Sequence, residues 1–176
     1  MSGTMQVPVN DEAGNLLFKS SYQHDLLISK DSELKIIGSV KTSSKDRIDK
    51  IFMDKFLYSK LTETELPHIA IFLNDVQRKQ TKGINEYGTS ATFLPGHFRA
   101  YTVKLNSLDG VYYCDIRPNM VVDTFLSRHI KTIDHFFFTD LFGMLDREGK
   151  DLDEVAVKPD KNETLPAEIT NNSSPA

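Results

Sequence analysis

The order of apolar patterns in residues 22–73 constrains the fold of this chain more than any other feature of its sequence. Residues 22–29 and 34–42 are strand-like runs separated by a polar turn, which predicts a hairpin. Apolar side chains then recur every three or four positions from Ser44 to about Lys60, which predicts a helix. Residues 69–73 form a further strand-like run. Strands interleaved with a helix predict an α/β fold with a mixed central β-sheet.

The second half of the chain continues this alternation. Residues 76–90 are polar and contain glycine, which predicts a loop. Residues 98–105 and 111–116 flank Asp109-Gly110, which predicts a second hairpin. Residues 121–129 and 133–145 have the spacing of amphipathic helices. We expect the helix of residues 44–60 to cover one face of the sheet and the C-terminal helices, with Phe136-Phe137-Phe138, to cover the other.

The length of 176 residues predicts one domain, because a single core serves roughly 100–200 residues. Residues 1–20 are polar and are expected to be a loosely ordered N-terminus. Residues 21–148 are expected to form the α/β domain. Beyond Gly149 aromatic residues vanish and Asp, Glu, Pro, Asn and Ser dominate, so residues 149–176 are expected to be a disordered acidic tail.

The net charge of −4 comes from the C-terminal residues 146–176. From Asp146 onward there are eight acidic and four basic side chains, which leaves 17 of each sign in residues 1–145. Residues 41–82 hold nine basic and six acidic side chains, a local excess that could face phosphates. The charge of the body is therefore compatible with a nucleic-acid partner.

A single cysteine, Cys114, excludes an internal disulfide and a thiolate metal cluster. It lies in an apolar run and is expected to be a small core residue. No apolar run approaches the roughly 20 residues that cross a bilayer, and residues 1–10 lack the features of a signal peptide. The sequence therefore predicts a cytoplasmic protein with no membrane partner.

Asp25 and Lys41 are the candidate pair for chemistry. Asp25 lies in the first strand-like run and Lys41 near the end of the second, and a hairpin can bring the two side chains together. Hydrolysis of a phosphodiester needs carboxylates that hold a divalent cation, and a lysine can orient or deprotonate the attacking water.

Asp25 followed by Ser39-Val40-Lys41 resembles the signature of the PD-(D/E)xK nuclease superfamily, in which an Asp and a spacer precede Asp or Glu, any residue, and Lys. The acidic position of the second motif is Ser39 here. A branch of type II restriction endonucleases that cut sites with CCGG or CCNGG cores resembles this version. In that branch the second carboxylate lies on the following helix. The resemblance covers residues 22–75, about a third of the chain.

The resemblance implies that Asp54, separated from Lys41 by twelve residues, is the displaced carboxylate. Asp25, Lys41 and Asp54 would then be catalytic, and Asp25 and Asp54 would bind Mg²⁺. Three other acids remain alternatives for the second metal position: Asp46, Asp49 and Asp75.

A basic cluster after the lysine is also similar to that branch. Arg47 is the residue expected to contact a guanine edge, and Lys45 is expected to contact phosphate. Gln77 and Arg78 follow a strand-like run, and Arg99 lies in Gly96-His97-Phe98-Arg99; these three are second-rank candidates for DNA contacts.

The resemblance implies a type II site-specific deoxyribonuclease that cleaves double-stranded DNA as a homodimer, because a palindromic site requires two-fold symmetry. A cognate DNA methyltransferase is implied genetically rather than as a physical partner. Two alternatives remain open. One is a nuclease of the repair or resolvase type, and the other is a non-catalytic or degenerate nuclease-fold module that binds DNA or protein.

Overall fold

The computed structural model describes residues 3–44, 47–80 and 87–147, so the tail expected beyond Gly149 lies outside the described residues. The strands of the described part are β1 (Gly3–Asn10), β2 (Leu16–His24), β3 (Leu26–Lys30), β4 (Glu33–Ser43), β5 (His68–Asn74), β6 (Val76–Gln80), β7 (Tyr87–Ala91), β8 (Gly110–Tyr113) and β9 (Ile130–Thr132). Its helices are α1 (Ile48–Thr62), α2 (Pro95–Lys104), α3 (Pro118–Val122), α4 (Leu126–His129), α5 (Ile133–His135) and α6 (Leu141–Leu145), with a π-helical turn at Phe136–Asp140 between the last two.

A five-stranded mixed sheet with the order β3-β4-β5-β8-β9 forms the centre of the fold, as expected from the sequence. β3 runs antiparallel to β4, whereas β4, β5, β8 and β9 run parallel. Ile69, Ala70 and Phe72 of the central strand β5 are fully buried. Parallel strands covered on both faces require such nearly continuous apolar runs.

Helices cover both faces of the sheet, which confirms the expected layering. One core lies between the sheet and the first four helices, each of which contributes a buried side chain: Phe52, Phe98, Met120 and Leu126. On the opposite face Phe136 and Met144 pack against Ile36 and Tyr112. Within the described residues no helix is both long and apolar enough to cross a membrane.

Residues 3–24 form an antiparallel hairpin of β1 and β2, whereas the sequence suggested a loosely ordered terminus up to residue 20. Val7 packs with Ile37 and Tyr58 at the edge of the central sheet, which gives the hairpin an anchor that is distant in sequence. Most of its other side chains are exposed or half-buried, so these two strands lack the apolar face from which a strand is predicted. β2 ends one residue before Asp25.

The Asp-Gly hairpin predicted around Asp109-Gly110 is wrong, because residues 98–104 belong to α2. Pro95 occupies the first turn, where its missing N–H costs no hydrogen bond. Phe98, Tyr101 and Leu105 recur at three and four residues and pack against the core under α1. β8 instead lies between β5 and β9 and runs parallel to both.

β6 and β7, in the segment predicted to be a loop, form a two-stranded antiparallel sheet, here called the ribbon. Its register pairs Val76 with Ala91 and Gln80 with Tyr87. All five residues of β6 are exposed. The strand was missed because it has no apolar face, and an apolar face is the signal on which strand prediction depends.

The triple phenylalanine divides between core and surface. Phe136 is 1% exposed, whereas Phe137 and Phe138 are 53% and 84% exposed, so the expectation that the run covers the sheet is wrong for two of the three rings. Successive residues of a helix point about 100° apart, so three in a row cannot share one face. Cys114, expected in the core, is also exposed.

A buried ion pair ties α1 to the sheet. Lys55 Nζ donates to Asp109 Oδ2 at 2.8 Å and to the Ser107 carbonyl at 2.5 Å, and the Lys55 side chain is 8% exposed. Asp109 also accepts the backbone N–H of His68 and the guanidinium of Arg147, each at 2.9 Å. One carboxylate therefore joins α1, the start of β5, the turn before β8 and the segment after α6.

His68 is buried at the start of β5, with Nδ1 2.9 Å from the Leu66 carbonyl oxygen. Burial lowers the pKa of its ring from 6.5 to about 4. The ring is therefore neutral at neutral pH, and it must gain a proton inside the core when the pH falls.

We expect Asp109→Ala to lower the free energy of unfolding by about 3–5 kcal/mol, because it leaves the Lys55 ammonium buried and unpaired. Urea denaturation measures this change. Lys30→Ala is the control, since it removes an ion pair with Asp146 whose side chains are 46% and 68% exposed, and it should cost at most about 1 kcal/mol. Equal effects of the two substitutions would contradict the assigned role of Lys55.

We expect the stability of the protein to fall as the pH is lowered from 6.5 toward 4. The unfolded chain binds a proton at His68 in this range and the folded chain does not, so the free energy of unfolding decreases by up to about 1.4 kcal/mol per pH unit. Denaturation at several pH values measures the slope. His68→Gln should make it shallower, whereas exposed His97→Gln should not; an unchanged slope in the first variant would refute the assignment.

Candidate active site

Asp25 lies in the bend between β2 and β3, where it meets the end of β4. Leu26 pairs with Gly38, so Asp25 is placed opposite Ser39. Asp25 Oδ2 accepts a hydrogen bond from Lys41 Nζ at 2.5 Å and another from the Val40 backbone N–H at 3.0 Å. The structure thus brings together the aspartate and the lysine that the sequence selected.

The environment of Asp25 keeps its carboxyl ionised. Partial burial pushes the pKa of Asp25 upward, but the hydrogen bonds from Lys41 and from the Val40 N–H outweigh burial and hold the pKa below its usual value. Both side chains remain about one-third exposed, at 37% for Asp25 and 33% for Lys41. The Asp25 carboxylate is therefore ionised at neutral pH, and both side chains are reachable from solvent.

Ser39 and Lys41 lie on the α1 side of the sheet. In the parallel register with β5, Ser39 is beside Ala70 and Lys41 beside Phe72, and both apolar partners belong to the core under α1. Paired residues of parallel strands point to the same face. The end of β4 consequently presents its lysine toward the helix that carries Asp54.

Asp54 lies on α1, with Oδ2 3.7 Å from Lys50 Nζ and a side chain that is 27% exposed. The Asp54 charge acts on Tyr22 of β2. Burial raises the pKa of the Tyr22 phenol, and the negative charge of Asp54 raises it further. Asp54 also opposes the lowering of the His24 pKa. Asp54 is not among the groups that shift the pKa of Asp25, so its placement beside Asp25 and Lys41 stays a prediction.

His24, which directly precedes Asp25, was not predicted from the sequence to be a site residue. It is 4% exposed, and its Nε2 has no hydrogen-bond partner among the described residues. Burial lowers the pKa of His24, while Asp54 and Asp25 pull it upward and Lys50 lowers it. The imidazole therefore lies in the field of both candidate carboxylates. Its position next to Asp25 in the sequence was the one available signal.

The donor set suits a hard divalent cation. Asp25 and Asp54 offer carboxylate oxygens, and Mg²⁺ is typically held by one or two carboxylates together with waters and substrate phosphates. Within residues 3–44, 47–80 and 87–147 no group of three or more His, Cys, Asp or Glu side chains is arranged to hold a metal. Asp25 and Asp54 are the side chains that would hold such a cation, with water and a substrate phosphate as its other ligands.

An open cleft of about 470 Å³ lies between the start of α1 and the ribbon. One wall is formed by Ser44, Ile48 and Asp49, and the ribbon supplies the other wall with four consecutive polar residues: Gln77, Arg78, Lys79 and Gln80. Gln77 and Arg78 were selected from the sequence, whereas Lys79 and Gln80 were not. Arg47 is exposed at the N-cap position of α1 and directly precedes Ile48, which lines the cleft.

The remaining candidates lie elsewhere. Arg99, on α2, donates to Asp123 and lies 5.0 Å from the centroid of the Phe125 ring, so it has partners in the helical layer and does not line the cleft. Lys45 and Asp46 lie outside the described residues. DNA contacts at Arg99 and Lys45 stay predictions.

Asp49 and Asp75, the other rivals of Asp54, have different surroundings. Asp49 is exposed in the first turn of α1 and lines the cleft. Asp75 is 2% exposed and pairs with Arg117 Nη1 at 3.3 Å. A carboxylate this deeply buried beside an arginine is a poor ligand for a solvated cation, which favours Asp54 or Asp49.

No family model matches the sequence, and no curated protein matches it. Among solved structures, the chain is similar to the crystal structure of the Type IIP restriction endonuclease Kpn2I, with a TM-score of 0.56 and 20% sequence identity over 68% of this chain. The match covers 39% of the Kpn2I chain, so this chain spans well under half the length of its structural relative. The likeness establishes the architecture: this chain has a restriction-endonuclease-like α/β fold.

Proposed function

We propose that this chain is a Mg²⁺-dependent, site-specific double-stranded DNA endonuclease of type II, which hydrolyses phosphodiester bonds in the cytoplasm. One observation carries the proposal: Asp25 and Lys41 are joined by a 2.5 Å hydrogen bond at the sheet edge beside α1, within a restriction-endonuclease-like fold. An aspartate and a lysine placed in this way provide two of the groups that metal-dependent phosphodiester hydrolysis uses, a carboxylate that can bind a cation and an ammonium group that can act on water and phosphate.

Lys41 acts on the attacking water and on the phosphate. Its ammonium group orients the water whose oxygen forms the new P–O bond, and its charge offsets the negative charge that develops on phosphorus oxygens as the leaving P–O bond breaks. Asp25 holds Lys41 in place in the free protein. Because its pKa is held low, Asp25 remains ionised and able to bind a cation at neutral pH.

Asp25 and Asp54 are the residues that would hold Mg²⁺. A cation bound there would polarise the phosphate and lower the cost of its developing charge. The oxygen-only donor set and the partial exposure of both carboxylates support this assignment.

Duplex DNA would lie across the cleft. Arg47 is proposed to bond both acceptors of a guanine, since its planar fork matches O6 and N7. Arg78 and Lys79 give the ribbon wall two cations against the single acid Asp49 on the facing wall, so the cleft attracts phosphates. Lys45 and Arg99 are proposed as further contacts to DNA.

The protein would act as a homodimer, because a palindromic DNA site has two-fold symmetry. A partner methyltransferase would protect the host genome. The exposed rings of Phe137, Phe138 and Phe142 supply an apolar surface for contact between two copies. The chief alternative is a non-catalytic nuclease-fold module, which is favoured by Ser39, a hydroxyl where the superfamily signature has a carboxylate. Preferential cleavage of mismatched or branched DNA would instead indicate a repair or resolvase enzyme.

We expect the protein to cut unmethylated phage or plasmid DNA into discrete fragments with Mg²⁺ and not with EDTA. Asp25→Ala and Lys41→Ala should each slow cleavage by roughly 10²- to 10⁴-fold, because they remove the carboxylate and the ammonium group that act on water and phosphate. Binding of the site, measured with Ca²⁺ in place of Mg²⁺, should stay within a few-fold of the unmodified protein.

Glu33→Gln and Lys35→Ala are matched controls, since they remove a different carboxylate and lysine pair of β4, with a 2.9 Å contact.

Asp54→Asn should raise the Mg²⁺ concentration for half-maximal cleavage at least about tenfold, whereas Asp49→Asn should not. The reverse result would move the second ligand to Asp49. Cleavage that survives in both the Asp25 and Lys41 variants would refute the site, and intact DNA on several substrates would favour the non-catalytic module.

We expect the protein in solution to have twice the 20.0 kDa mass of one chain. Replacing both Phe138 and Phe142 by Ser should produce monomers, because these rings are 84% and 64% exposed and would lose an apolar contact. Sedimentation equilibrium measures the mass. Val103→Ser, which alters an exposed apolar residue of α2, should leave it unchanged. A monomeric unmodified protein at micromolar concentration would contradict the proposed dimer.

A further inference from the structure

A second cavity, of about 350 Å³, lies on the face of the sheet opposite Lys41. Tyr112 of β8 lines this cavity and belongs to the core on the α6 side. Lys131 of β9 also lines it and pairs with Tyr112 in the parallel register. Paired residues of parallel strands point to the same face, so Lys131 points away from the face that bears Lys41. The cavity is therefore separate from the candidate active site.

The polar groups at the base of this cavity are fixed by a hydrogen bond and by close packing. The Tyr112 hydroxyl donates to Asp140 Oδ2 at 2.8 Å. Gly110 leaves room for this arrangement, because a Cβ there would collide with the Tyr112 ring and hydroxyl. Asp140 is the last residue of the π-helical turn, and Thr139 before it also lines the cavity. Single π-helical turns occur frequently at functional sites.

Positive charge is in excess around the cavity. Three cations and two acids line it: Arg128, Lys131, Arg147, Asp109 and Asp140. Asp109 pairs with Arg147 at 2.9 Å and also with the buried Lys55 at 2.8 Å. Four cations thus surround two carboxylates, and one of these carboxylates is shared by two of the cations. Such a cavity attracts an anion.

Arg128 and Lys131 supply the uncompensated charge. Within residues 3–44, 47–80 and 87–147 neither side chain has a carboxylate partner. Lys131 Nζ donates to the Ser127 carbonyl at 2.7 Å, which holds the ammonium group in place and leaves two of its three donors for a ligand. Arg128 is exposed in the last turn of α4, three residues before Lys131. The two groups can therefore act on one anion.

We propose that this cavity binds a small phosphorylated molecule that carries hydroxyl groups, a sugar phosphate in size and chemistry, and that Arg128 and Lys131 hold its phosphate group. A phosphate offers several acceptor oxygens, which match a guanidinium fork and an ammonium group. The Thr139 hydroxyl and the Asp140 carboxylate bond the hydroxyl groups of the ligand. This inference does not depend on the proposed nuclease activity.

The size and position of the cavity favour a small ligand over a duplex. Sites for small molecules typically enclose about 300–1,000 Å³, and this cavity of about 350 Å³ lies at the lower end of that range. Its lining residues converge from β8, β9 and the helical turns around them, so the charged groups point into a concavity. The duplex of the proposed function would instead contact the opposite face of the sheet, beside Lys41.

The test is a titration of the full chain followed by ¹H–¹⁵N NMR spectra at constant ionic strength, with inorganic phosphate, ribose 5-phosphate and ribose as probes. The amide signals of Lys131, Thr139 and Gly143 should shift and saturate with both phosphates and should not shift with ribose. Ribose 5-phosphate should bind roughly tenfold more tightly than inorganic phosphate, because its hydroxyl groups add hydrogen bonds.

Two substitutions test the phosphate contacts. Arg128→Gln and Lys131→Gln should each weaken the binding of ribose 5-phosphate by roughly 10- to 150-fold, since each removes a hydrogen bond from a charged donor. Lys104→Gln is the matched control, because it removes an exposed lysine of α2 that does not line the cavity. Unchanged amide signals from β4 and β5 verify that each variant is folded.

Several outcomes would overturn the inference. Shifts that sodium chloride reproduces, or that Lys104→Gln reduces as much as Arg128→Gln does, would show only a general response to anions. Equal affinities for inorganic phosphate and ribose 5-phosphate would remove the sugar from the proposed ligand.

A duplex oligonucleotide, with Ca²⁺ in place of Mg²⁺, tests the other source of phosphate groups. If Arg128→Gln and Lys131→Gln weaken duplex binding tenfold or more, the pair contacts the DNA backbone and the small-molecule site is overturned. Unchanged duplex binding together with lost binding of ribose 5-phosphate supports the site. If the unmodified protein binds no duplex, the proposed nuclease function fails, and the result with ribose 5-phosphate alone decides this inference.

Discussion

The carboxylate of Asp109 is the constraint on which the arrangement of this domain depends. It neutralises a lysine that α1 turns into the protein interior, and it accepts the first backbone N–H of β5. An unpaired ammonium in that place would be expensive, so α1 can dock only in the rotation that brings Lys55 to Asp109. That rotation also determines the direction in which Asp54, the residue before Lys55, points. A structural ion pair therefore sets the direction of a candidate metal ligand.

The candidate active site is formed by the bend between β2 and β3 rather than by a preformed pocket. The N-terminal hairpin leads into the bend at Asp25, and β4 returns antiparallel to place Lys41 beside it. The two charges satisfy each other in the free protein. In the proposed function a phosphate would take the place of Asp25 beside Lys41, and the loss of this half-exposed ion pair would cost at most about 1 kcal/mol.

The ribbon and α1, the two elements that line the cleft, are each anchored by buried residues and present exposed polar residues to the cleft. The ribbon is anchored through buried Thr92 and Ser44, and α1 is anchored through Ile48 and Lys55, yet the residues offered to a ligand are exposed. A polar side chain whose backbone is fixed loses less entropy on binding than one on a free loop. The proposed recognition of DNA would benefit from this arrangement, because a small displacement of a donor would weaken its hydrogen bonds to a base edge.

The sequence determined what depends on neighbouring residues: the β3–β4 hairpin that brings Asp25 and Lys41 together, the α1 helix, and the mixed sheet with helices on both faces. Their periodicities are local, and a hairpin joins residues only 16 positions apart. The tertiary structure decided which elements pair and which side chains are buried. No pattern distinguished buried Lys55 from the other charged residues of its helix, exposed Phe138 from buried Phe136, or a parallel β8 from a hairpin strand. The ribbon and the β1–β2 hairpin were missed because their few buried contacts are with residues distant in sequence, and such contacts leave no local signal.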